Sequence, residues 1–310
     1  MSSKGDRFHP RYVIGAVWFV YMAANLMIYI VPVICLSLTK LILPIRFVRR
    51  ACYQIMETIY QMAVAANVFL FDHILGFQME VTGLEGLSTK QDHVILVNHS
   101  SWMDIPLLQN LLHRRAPIPR FIAKWEVMLI PLVGLICWAY EYPLVRRYNR
   151  AYLSQHPEKA GHDLVMLEKH FARRDLAPSC IIIFPDGGRF SPDKAVRQKS
   201  PHNHLLKPKA GGLTNTIQAL GERLGEILDL TIVYDCDAPV FWNLLSRRCR
   251  RIIVRIQKIQ LYEWIEQESQ GTFRVNRESV ADRLNDLWRE KDQYIEQVKS
   301  GFSRPTMFHK

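Results

Sequence analysis

His99 and Asp104 are the residue types of a general base and of a carboxylate that could orient it, and they stand five residues apart in VNHSSWMDIP. Spacing alone carries little weight, because 11 histidines and 14 aspartates in 310 residues would give roughly 0.5 such pairs by chance. The chain holds two, the second being His170 with Asp175. The surrounding sequence therefore has to decide between them.

The two pairs differ in the secondary structure around them. His170 lies in an amphipathic helical pattern, where five residues correspond to about 500° of rotation, so the side chains of His170 and Asp175 diverge by roughly 140°. His99 instead follows a buried strand and precedes a helix, and a turn between the two can return Asp104 to the imidazole. This pattern favours a general base at His99, with a structural polar turn and a metal ligand as the alternatives.

A second strand-and-turn sequence, FPDGGRF, occupies residues 184–190. Gly187 and Gly188 would let a ligand approach the backbone, and the planar guanidinium of Arg189 suits a phosphate; a plain glycine turn with a surface arginine is the alternative. Lys124 and the arginines of LVRRY (144–148) follow two further predicted strands. If the sheet is parallel, these strand ends share one edge, which would be cationic enough for an anionic substrate.

Strands alternate with helices along most of the chain, which predicts an α/β fold with a largely parallel, mixed sheet flanked by helices. The expected strands, with their terminal turns, are 77–87, 93–98, 120–127, 142–147, 179–190, 229–234 and 251–261. The expected helices are 101–113 (capped by Ser100 or Ser101), 128–143, 157–174, 211–227 and 276–299. The last helix carries an apolar stripe formed by Val280, Leu284, Leu287, Trp288 and Ile295.

An uncharged run at 12–39 precedes these elements. Since about 20 apolar residues span a bilayer as a helix, we predict an N-terminal membrane-embedded helix. It either crosses the bilayer or, because Pro32 allows a kink, forms a re-entrant hairpin. A helix in the core of a soluble protein is the alternative. Residues 41–76 predict an amphipathic helix at the bilayer surface, or one packed on the globular domain. The predicted domains are a membrane anchor over 1–76 and a catalytic domain with a C-terminal helix over 77–310. Basic residues flank the apolar run almost equally, so charge leaves its orientation open.

A net charge of +11 and a pI of about 9.4 indicate a polyanionic partner: a phosphorylated substrate, an anionic membrane surface or nucleic acid. The basic run SRRCRR (246–251) supports a distant alternative, a basic membrane-anchored protein that binds a partner or nucleic acid, but no nucleic-acid motif accompanies it. The six cysteines form no C-x-x-C, so neither a zinc site nor a redox dithiol is predicted. The chain also lacks G-x-S-x-G, which disfavours a serine esterase.

Four ordered blocks resemble the 1-acyl-sn-glycerol-3-phosphate acyltransferases, the PlsC-type or lysophosphatidic acid acyltransferase family, and the resemblance runs from about residue 12 to 300. Asn98, His99 and Asp104 match the N-H-x-x-x-x-D block. RFIAKWEV (120–127) resembles F-x-A-K-x-E, EYPLVRR (141–147) loosely matches G-x-x-F-I-x-R, FPDGGR (184–189) is similar to F-P-E-G-T-R, and HLLKPKAGG (204–212) follows where relatives carry a similar segment. Asp186 stands in place of the family's glutamate and Gly188 in place of its threonine. The chain looks closest to a bacterial inner-membrane branch, the YihG-like acyltransferases.

The resemblance implies a membrane acyltransferase of phospholipid biosynthesis that moves an acyl group from acyl-CoA or acyl carrier protein to the 2-hydroxyl of 1-acyl-sn-glycerol-3-phosphate, forming phosphatidic acid. It implies His99 as the base and Asp104 as its orienting carboxylate. The substrate-binding residues that it implies are Asn98, Lys124, Arg147, Asp186, Gly187, Gly188 and Arg189. No metal, cofactor or nucleic acid is expected, and the catalytic domain would face the cytoplasm at the bacterial inner membrane. Transfer to another lysophospholipid is the second interpretation.

Overall fold

The strands of the protein build one large sheet and two short ribbons. The computed structural model describes residues 10–148, 150–172, 178–224, 226–236, 240–260, 264, 266–267 and 273–302. The strands are β1 (Gln78–Thr82), β2 (His93–Val97), β3 (Pro119–Phe121), β4 (Ala123–Lys124), β5 (Leu144–Val145), β6 (Cys180–Ile183), β7 (Glu226–Tyr234), β8 (Arg251–Gln260), β9 (Glu266–Gln267) and β10 (Phe273–Arg274).

The large sheet has the strand order β1-β8-β7-β2-β6-β3. Its neighbouring strands are parallel except β7 and β8, which are antiparallel. The shorter ribbons pair β4 with β5 in parallel and β9 with β10 in antiparallel orientation. The prediction of an α/β fold with a largely parallel, mixed sheet is therefore confirmed.

Helices cover both faces of this sheet. They are α1 (Pro10–Ile42), α2 (Arg46–Phe69), α3 (Asp104–Leu112), α4 (Pro131–Ala139), α5 (Arg150–Gln155), α6 (His162–Ala172), α7 (Pro192–Gln198), α8 (Gly211–Leu220), α9 (Val240–Leu245) and α10 (Arg277–Phe302). Successive strand residues point to opposite faces, so Ile95 and Val97 of β2 join a cluster with α3, whereas Val94 and Leu96 join one with α6, α8 and α10. The end of β2 thus lies between two packed layers.

The N-terminal helices α1 and α2 form an antiparallel pair. The hydroxyl of Tyr21 donates to the carbonyl of Ala66 at 3.0 Å, whereas Ser37, further along α1, contacts Met56, earlier in α2. Helix α1 is continuous through Pro32, and at about 1.5 Å per residue it is longer than a bilayer core is thick. Among the described residues, it holds the one segment long and apolar enough to cross a membrane, Val13–Ile42.

Helix α2 also packs on the sheet-containing domain. Its buried residues recur every four positions and form one stripe: Cys52, Met56, Tyr60 and Val64. All of this stripe except Cys52 packs in one cluster with Ile30 and Val33 of α1 and, on the domain side, with Ile118, Ala139 and Tyr140. Packing on the globular domain, one of the two alternatives for residues 41–76, is thus what the structure shows. The helical region ends at Gly76, whose left-handed φ of 63° suits glycine.

Several predicted boundaries are wrong, each for a local reason. The strand expected over 120–127 is interrupted at Ile122 and gives way to a 3-10 helix at Trp125–Leu129. The helix expected over 211–227 ends at Leu220, because Gly221 adopts a positive φ of 55° that stops the helix. Helices α5, α7 and α9 have no counterpart in the sequence-based assignment.

Candidate active site

His99 and Asp104 lie in the turn that joins β2 to α3. Nδ1 of His99 is 2.7 Å from Oδ2 of Asp104, and the His99 side chain keeps 12% of its surface exposed while that of Asp104 is fully buried. With Nδ1 donating to the carboxylate, Nε2 is left as the nitrogen that can accept a proton. The geometry is that of a base with an orienting carboxylate.

Backbone and side-chain donors surround the carboxylate of Asp104. Oδ2 also accepts the amide hydrogens of Ser100 at 2.7 Å and Ser101 at 2.9 Å, and Oδ1 accepts the hydroxyl of Tyr234 at 2.5 Å. Burial, and then the charge of Asp104, raise the pKa of Tyr234 well above its usual value, so its hydroxyl remains a donor. Helix α3 begins at Asp104 with Met103 at its cap position, so neither serine stands where the cap was predicted. The Ser101 hydroxyl nevertheless accepts the amide hydrogen of Met103 at 3.1 Å.

The 184–190 turn, defined by the sequence FPDGGRF, holds His99 from the other side. Its Asp186 accepts the amide hydrogen of His99 at 3.0 Å, and Phe190 donates its amide hydrogen to the carbonyl of His99 at 2.7 Å. The ring of Phe184 stacks on the imidazole with centroids 4.1 Å apart. Both peptide groups and one ring face of His99 are therefore fixed by a single turn.

Asn98 and Asp186, both predicted to bind substrate, serve the scaffold instead. Asn98 is buried, and its amide exchanges two hydrogen bonds of 2.9 Å with the backbone of Ile232 in β7. Asp186 is fully buried, and its second oxygen accepts the indole N–H of Trp288 at 2.9 Å. Burial raises the pKa of Asp186 to about 6, whereas its hydrogen bonds from the His99 amide and the Trp288 indole and the charge of Lys291 lower it. Both side chains are shielded from solvent and hydrogen-bonded within the protein.

Lys124, Arg147 and Lys209 form a cationic cluster beside the same turn. The parallel pairing of β4 with β5 sets Lys124 opposite Val145, two residues before Arg147. Burial, followed by the charges of Lys124 and Arg147, lowers the pKa of Lys209. Burial also lowers the pKa of Arg147, while the charge of Asp163 raises it. Three cations this close repel one another, and a polyanion would relieve that repulsion.

The glycines of the turn have different roles. Gly187 has a φ of 67°, and a Cβ there would lie 3.2 Å from Nζ of Lys209 and 3.5 Å from a guanidinium nitrogen of Arg147. Any side chain would therefore be strained and would crowd the cationic cluster. A Cβ on Gly188 would meet only Nζ of Lys194, at 3.9 Å, among the described residues. A Cβ at position 188 would therefore be accommodated without a clash.

Arg189 occupies a separate position near the base. Its guanidinium lies over the ring of Trp102, 4.5 Å from the centroid, and its carbonyl accepts Nζ of Lys194 at 3.1 Å. Trp102 belongs to the turn between His99 and Asp104 and is 45% exposed. Arg189 is thus placed next to the turn that carries His99 and Asp104, on an accessible aromatic surface.

His170 does not join this site. It lies near the end of α6 and makes an edge contact with Phe171. Asp175, the other member of the competing pair, lies outside the described residues. The geometric evidence for a base therefore rests on His99.

Three residues that contact the site were missed by the sequence reasoning: Lys209, Tyr234 and Trp288. Lys209 belongs to HLLKPKAGG, so the resemblance offered a signal for it. Trp288 was predicted only as part of an apolar stripe, and nothing in the sequence connects it to Asp186, which is 102 residues away. Tyr234 ends β7 and carried no motif.

Among the described residues, one group has the ligand types of a metal site, namely Asp235, Cys236 and Cys249, whose ligand atoms lie within 4.8 Å of one another. The carboxylate of Asp235 already accepts the amide hydrogens of Arg250 and Arg251. A hydrogen bond with Cys236 and burial raise the pKa of the Cys249 thiol, which favours the protonated form over the thiolate that metals bind. The arrangement is poorly suited to hold an ion.

Comparisons with known proteins agree with this fold. A family model described as acyltransferase matches residues 78–235, just over half of the chain. The chain is 25% identical over 215 residues to the probable 1-acyl-sn-glycerol-3-phosphate acyltransferase 5 of Arabidopsis thaliana; the match covers 64% of this chain and 54% of that protein, so the chain spans about half the length of the curated relative it matches.

A solved structure is similar over almost the whole chain. The crystal structure of the 1-acyl-sn-glycerophosphate (LPA) acyltransferase, PlsC, from Thermotoga maritima has a TM-score of 0.52 to this protein at 17% identity, with 96% of this chain and 99% of that chain covered. This likeness shows a shared fold. The family model begins at the first residue of β1 and ends one residue after β7, enclosing His99, Asp104 and the 184–190 turn, and the chain belongs to the acyltransferase family.

Proposed function

We propose that this protein transfers an acyl group from an acyl thioester to the 2-hydroxyl of 1-acyl-sn-glycerol-3-phosphate and so forms phosphatidic acid for phospholipid biosynthesis. One observation carries the proposal: the 184–190 turn contacts the base on one side and the cationic cluster on the other. Asp186 binds the amide of His99, and its neighbour Gly187 lies against Lys209 and Arg147. A hydroxyl presented to the base and a phosphate presented to the cations are the two ends of such an acceptor. The names of the two relatives support the same acceptor.

The base acts on the acceptor hydroxyl. Nε2 of His99 takes the hydroxyl proton as the oxygen attacks the thioester carbonyl carbon, and Asp104 stabilises the imidazolium that forms. When the tetrahedral intermediate collapses, its C–S bond breaks, and the imidazolium returns the proton to the departing thiolate. The steps balance without an acyl-enzyme, a metal or another cofactor. Coenzyme A and acyl carrier protein both present such a thioester, and either is a suitable donor.

The cationic cluster binds the phosphate. Lys124 and Lys209 are solvent-accessible, whereas Arg147 is half-buried and held at its backbone amide by Asp163, 2.9 Å away. A phosphate dianion gains charge-assisted hydrogen bonds from these side chains, and it also removes the repulsion among them. Arg189, on the surface of Trp102, is placed to contact the acceptor between its phosphate and the base.

The N-terminal helices bring this site to the lipid. We propose that residues 1–76 form the membrane anchor and residues 77–310 the acyltransferase domain, with α1 embedded in the bilayer. The exposed side chains of α1 include many large apolar ones, among them Val20, Ile28, Leu41 and Ile42. Lysolipid and product both reside in the membrane, and acyl thioesters are made in the cytoplasm. A bacterial inner membrane with the catalytic domain on its cytoplasmic face satisfies both supplies.

Acyl transfer to a panel of lysolipids tests the proposal. Purified protein in nanodiscs, given labelled acyl-CoA or acyl carrier protein, should transfer to lysophosphatidate faster than to the matching monoacylglycerol, which lacks the phosphate. His99→Ala should reduce the rate on the order of 10²-fold or more, because general-base catalysis is lost. His170→Ala is the matched histidine control and should retain activity.

Two results would contradict this function. Undiminished transfer by His99→Ala would contradict the assignment of His99 as the general base. A higher rate with a lysolipid that carries another headgroup would move the acceptor to a different lysophospholipid, while leaving the acyltransferase chemistry in place.

A further inference from the structure

Helix α10 lies beyond the segment that the family model matches, yet it reaches the support of the base. Its Trp288 is fully buried and donates its indole N–H to Oδ1 of Asp186 at 2.9 Å. The other oxygen of that carboxylate accepts the amide hydrogen of His99 at 3.0 Å. A chain of two hydrogen bonds therefore runs from α10 to the backbone of the catalytic base.

Contacts between Lys291 and strand β7 fix the position of α10. Lys291, one turn after Trp288, is fully buried; it forms an ion pair of 2.7 Å with Asp229 and donates to the carbonyl of Leu230 at 2.9 Å. Its ammonium also lies 4.7 Å from the centroid of the Trp288 ring. Because Asp229 and Leu230 belong to β7, these contacts set the register of α10 against the sheet and aim the indole at Asp186.

We propose that Trp288 is a positioning residue for acyl transfer, holding the Asp186 carboxylate against the amide of His99 so that the imidazole keeps its alignment. The expected effect of Trp288 on the rate of acyl transfer rests on the proposed function, whereas its hydrogen bond to Asp186 does not. Trp288 does not touch the substrate in this proposal. It acts through Asp186.

The burial of Asp186 explains why an indole donor is needed there. A buried carboxylate needs a donor for each oxygen, since an unpaired charged oxygen in a dry interior is costly. The two oxygens meet one donor each, His99 N–H and the Trp288 indole. The indole of Trp288 thus supplies the donor that the second oxygen requires.

Electrostatics around Asp186 are consistent with this role. Burial raises its pKa to about 6, whereas the amide of His99, the indole of Trp288 and the charges of Lys291 and His99 oppose that shift. Loss of the indole donor should raise the pKa further and leave a larger fraction of the carboxyl groups protonated near neutral pH. A protonated carboxyl accepts the His99 amide hydrogen less strongly.

Trp288→Phe is the first test, because it removes the N–H and keeps most of the buried ring. We expect kcat to fall on the order of tenfold, the usual worth of a hydrogen bond to a charged group, with the KM of donor and acceptor within about twofold. The acidic limb of the kcat profile should move to higher pH. Trp18→Phe is the matched control, since the indole N–H of Trp18 is buried and has no hydrogen-bond partner among the described residues. An unchanged kcat in Trp288→Phe overturns the proposal.

A double-mutant cycle separates positioning from loss of packing. Asp186→Asn alone should reduce kcat, and because Trp288 acts through the Asp186 carboxylate, Trp288→Phe should add little further loss in that background. The double variant should therefore be at least threefold more active than the product of the single effects predicts, since coupled neighbours are not additive. Additive effects on kcat would show that Trp288 acts only through general packing and would overturn the proposal.

A readout that needs no turnover distinguishes this proposal from the proposed function. In protein labelled with 15N-tryptophan, the Trp288 indole resonance, assigned by its loss in Trp288→Phe, should titrate near pH 6 and stop titrating in Asp186→Asn. An indole that does not titrate overturns the contact. If lysophosphatidate is not used but another lysolipid is, the proposed acceptor fails, and the kinetic tests of Trp288 are decided with that lysolipid. Absence of transfer to every acceptor overturns both.

Discussion

Replacement of Asp104 by asparagine offers a clean perturbation, because the surroundings can accept the amide. The asparagine oxygen can keep the position of Oδ2, which accepts His99 Nδ1–H and the amides of Ser100 and Ser101. The new NH₂ group then faces Tyr234, whose hydroxyl donates to Oδ1 of Asp104 in the wild-type protein. A hydroxyl can rotate and accept instead, so the substitution removes the charge and leaves the contacts nearly intact.

The expected loss follows from the contact between Asp104 and His99. The imidazolium formed during attack is stabilised by a buried carboxylate at 2.7 Å. Replacing a charged acceptor by a neutral one forfeits on the order of 3 kcal/mol, the upper range for a hydrogen bond between charged groups. At about 1.4 kcal/mol per tenfold, the rate constant should fall roughly 10²-fold. The free energy of unfolding should change much less.

The assay is kcat for acyl transfer, measured together with thermal unfolding in the same detergent. Tyr234→Phe is the control: it removes the donor to Oδ1 but keeps the charge beside His99, so its rate loss should be less than tenfold. A rate for Asp104→Asn within threefold of wild type, at an unchanged melting temperature, would refute the role of the carboxylate.

Three further predictions concern the cations and Asp186. Lys209→Met should raise the KM for a phosphate-bearing acceptor about tenfold, with the donor KM unchanged, whereas Lys207→Met, on an exposed lysine of the same segment, should be silent in steady-state kinetics. Lys291→Met should lower the free energy of unfolding by about 3–5 kcal/mol, because it leaves Asp229 buried without its partner. Adding Asp229→Leu should restore at least half of the lost stability in denaturant titrations. No recovery would contradict the proposed contribution of the ion pair between Lys291 and Asp229. The pKa of Asp186 is about 6 in the folded protein and about 3.8 in the unfolded chain, so the folded state binds this proton more tightly. The free energy of unfolding should therefore fall by on the order of 3 kcal/mol as pH rises through that window. Denaturant titrations at pH 4 and pH 7 should show this fall in the wild type and not in Asp186→Asn.

The sequence predicted the parts of the fold whose signals are local. The uncharged run became α1, the apolar β-branched run became β2, and the alternation of elements gave the parallel sheet. The competing pair at His170 was set aside from helical geometry alone. In contrast, the extent of β4 and β5 depends on the pairing of residues 21 positions apart, such as Ala123 with Leu144, and two-residue strands leave no periodic signal.

Site chemistry was predictable only where a motif carried it. His99 and Asp104 lie within one turn, and their spacing and context sufficed to bring them together. Asn98 and Asp186 belong to the same motifs, but their burial against Ile232 and Trp288 comes from tertiary packing. Motif membership therefore indicated that these residues matter near the base, and it could not indicate whether they face the substrate or the scaffold. The closeness to the YihG-like branch stays a prediction.

The distance along the chain between the base and its supports has a consequence for biosynthesis. His99 meets Asp186 across 87 residues, and Asp186 meets Trp288 across a further 102. A ribosome adds about 5–20 residues each second, so α1 and α2 leave the ribosome seconds before α10 is made. On the proposed anchoring role of α1, the nascent protein is at the membrane while His99 still lacks the support of Asp186 and Trp288. Docking of α10 then supplies the indole donor to Asp186.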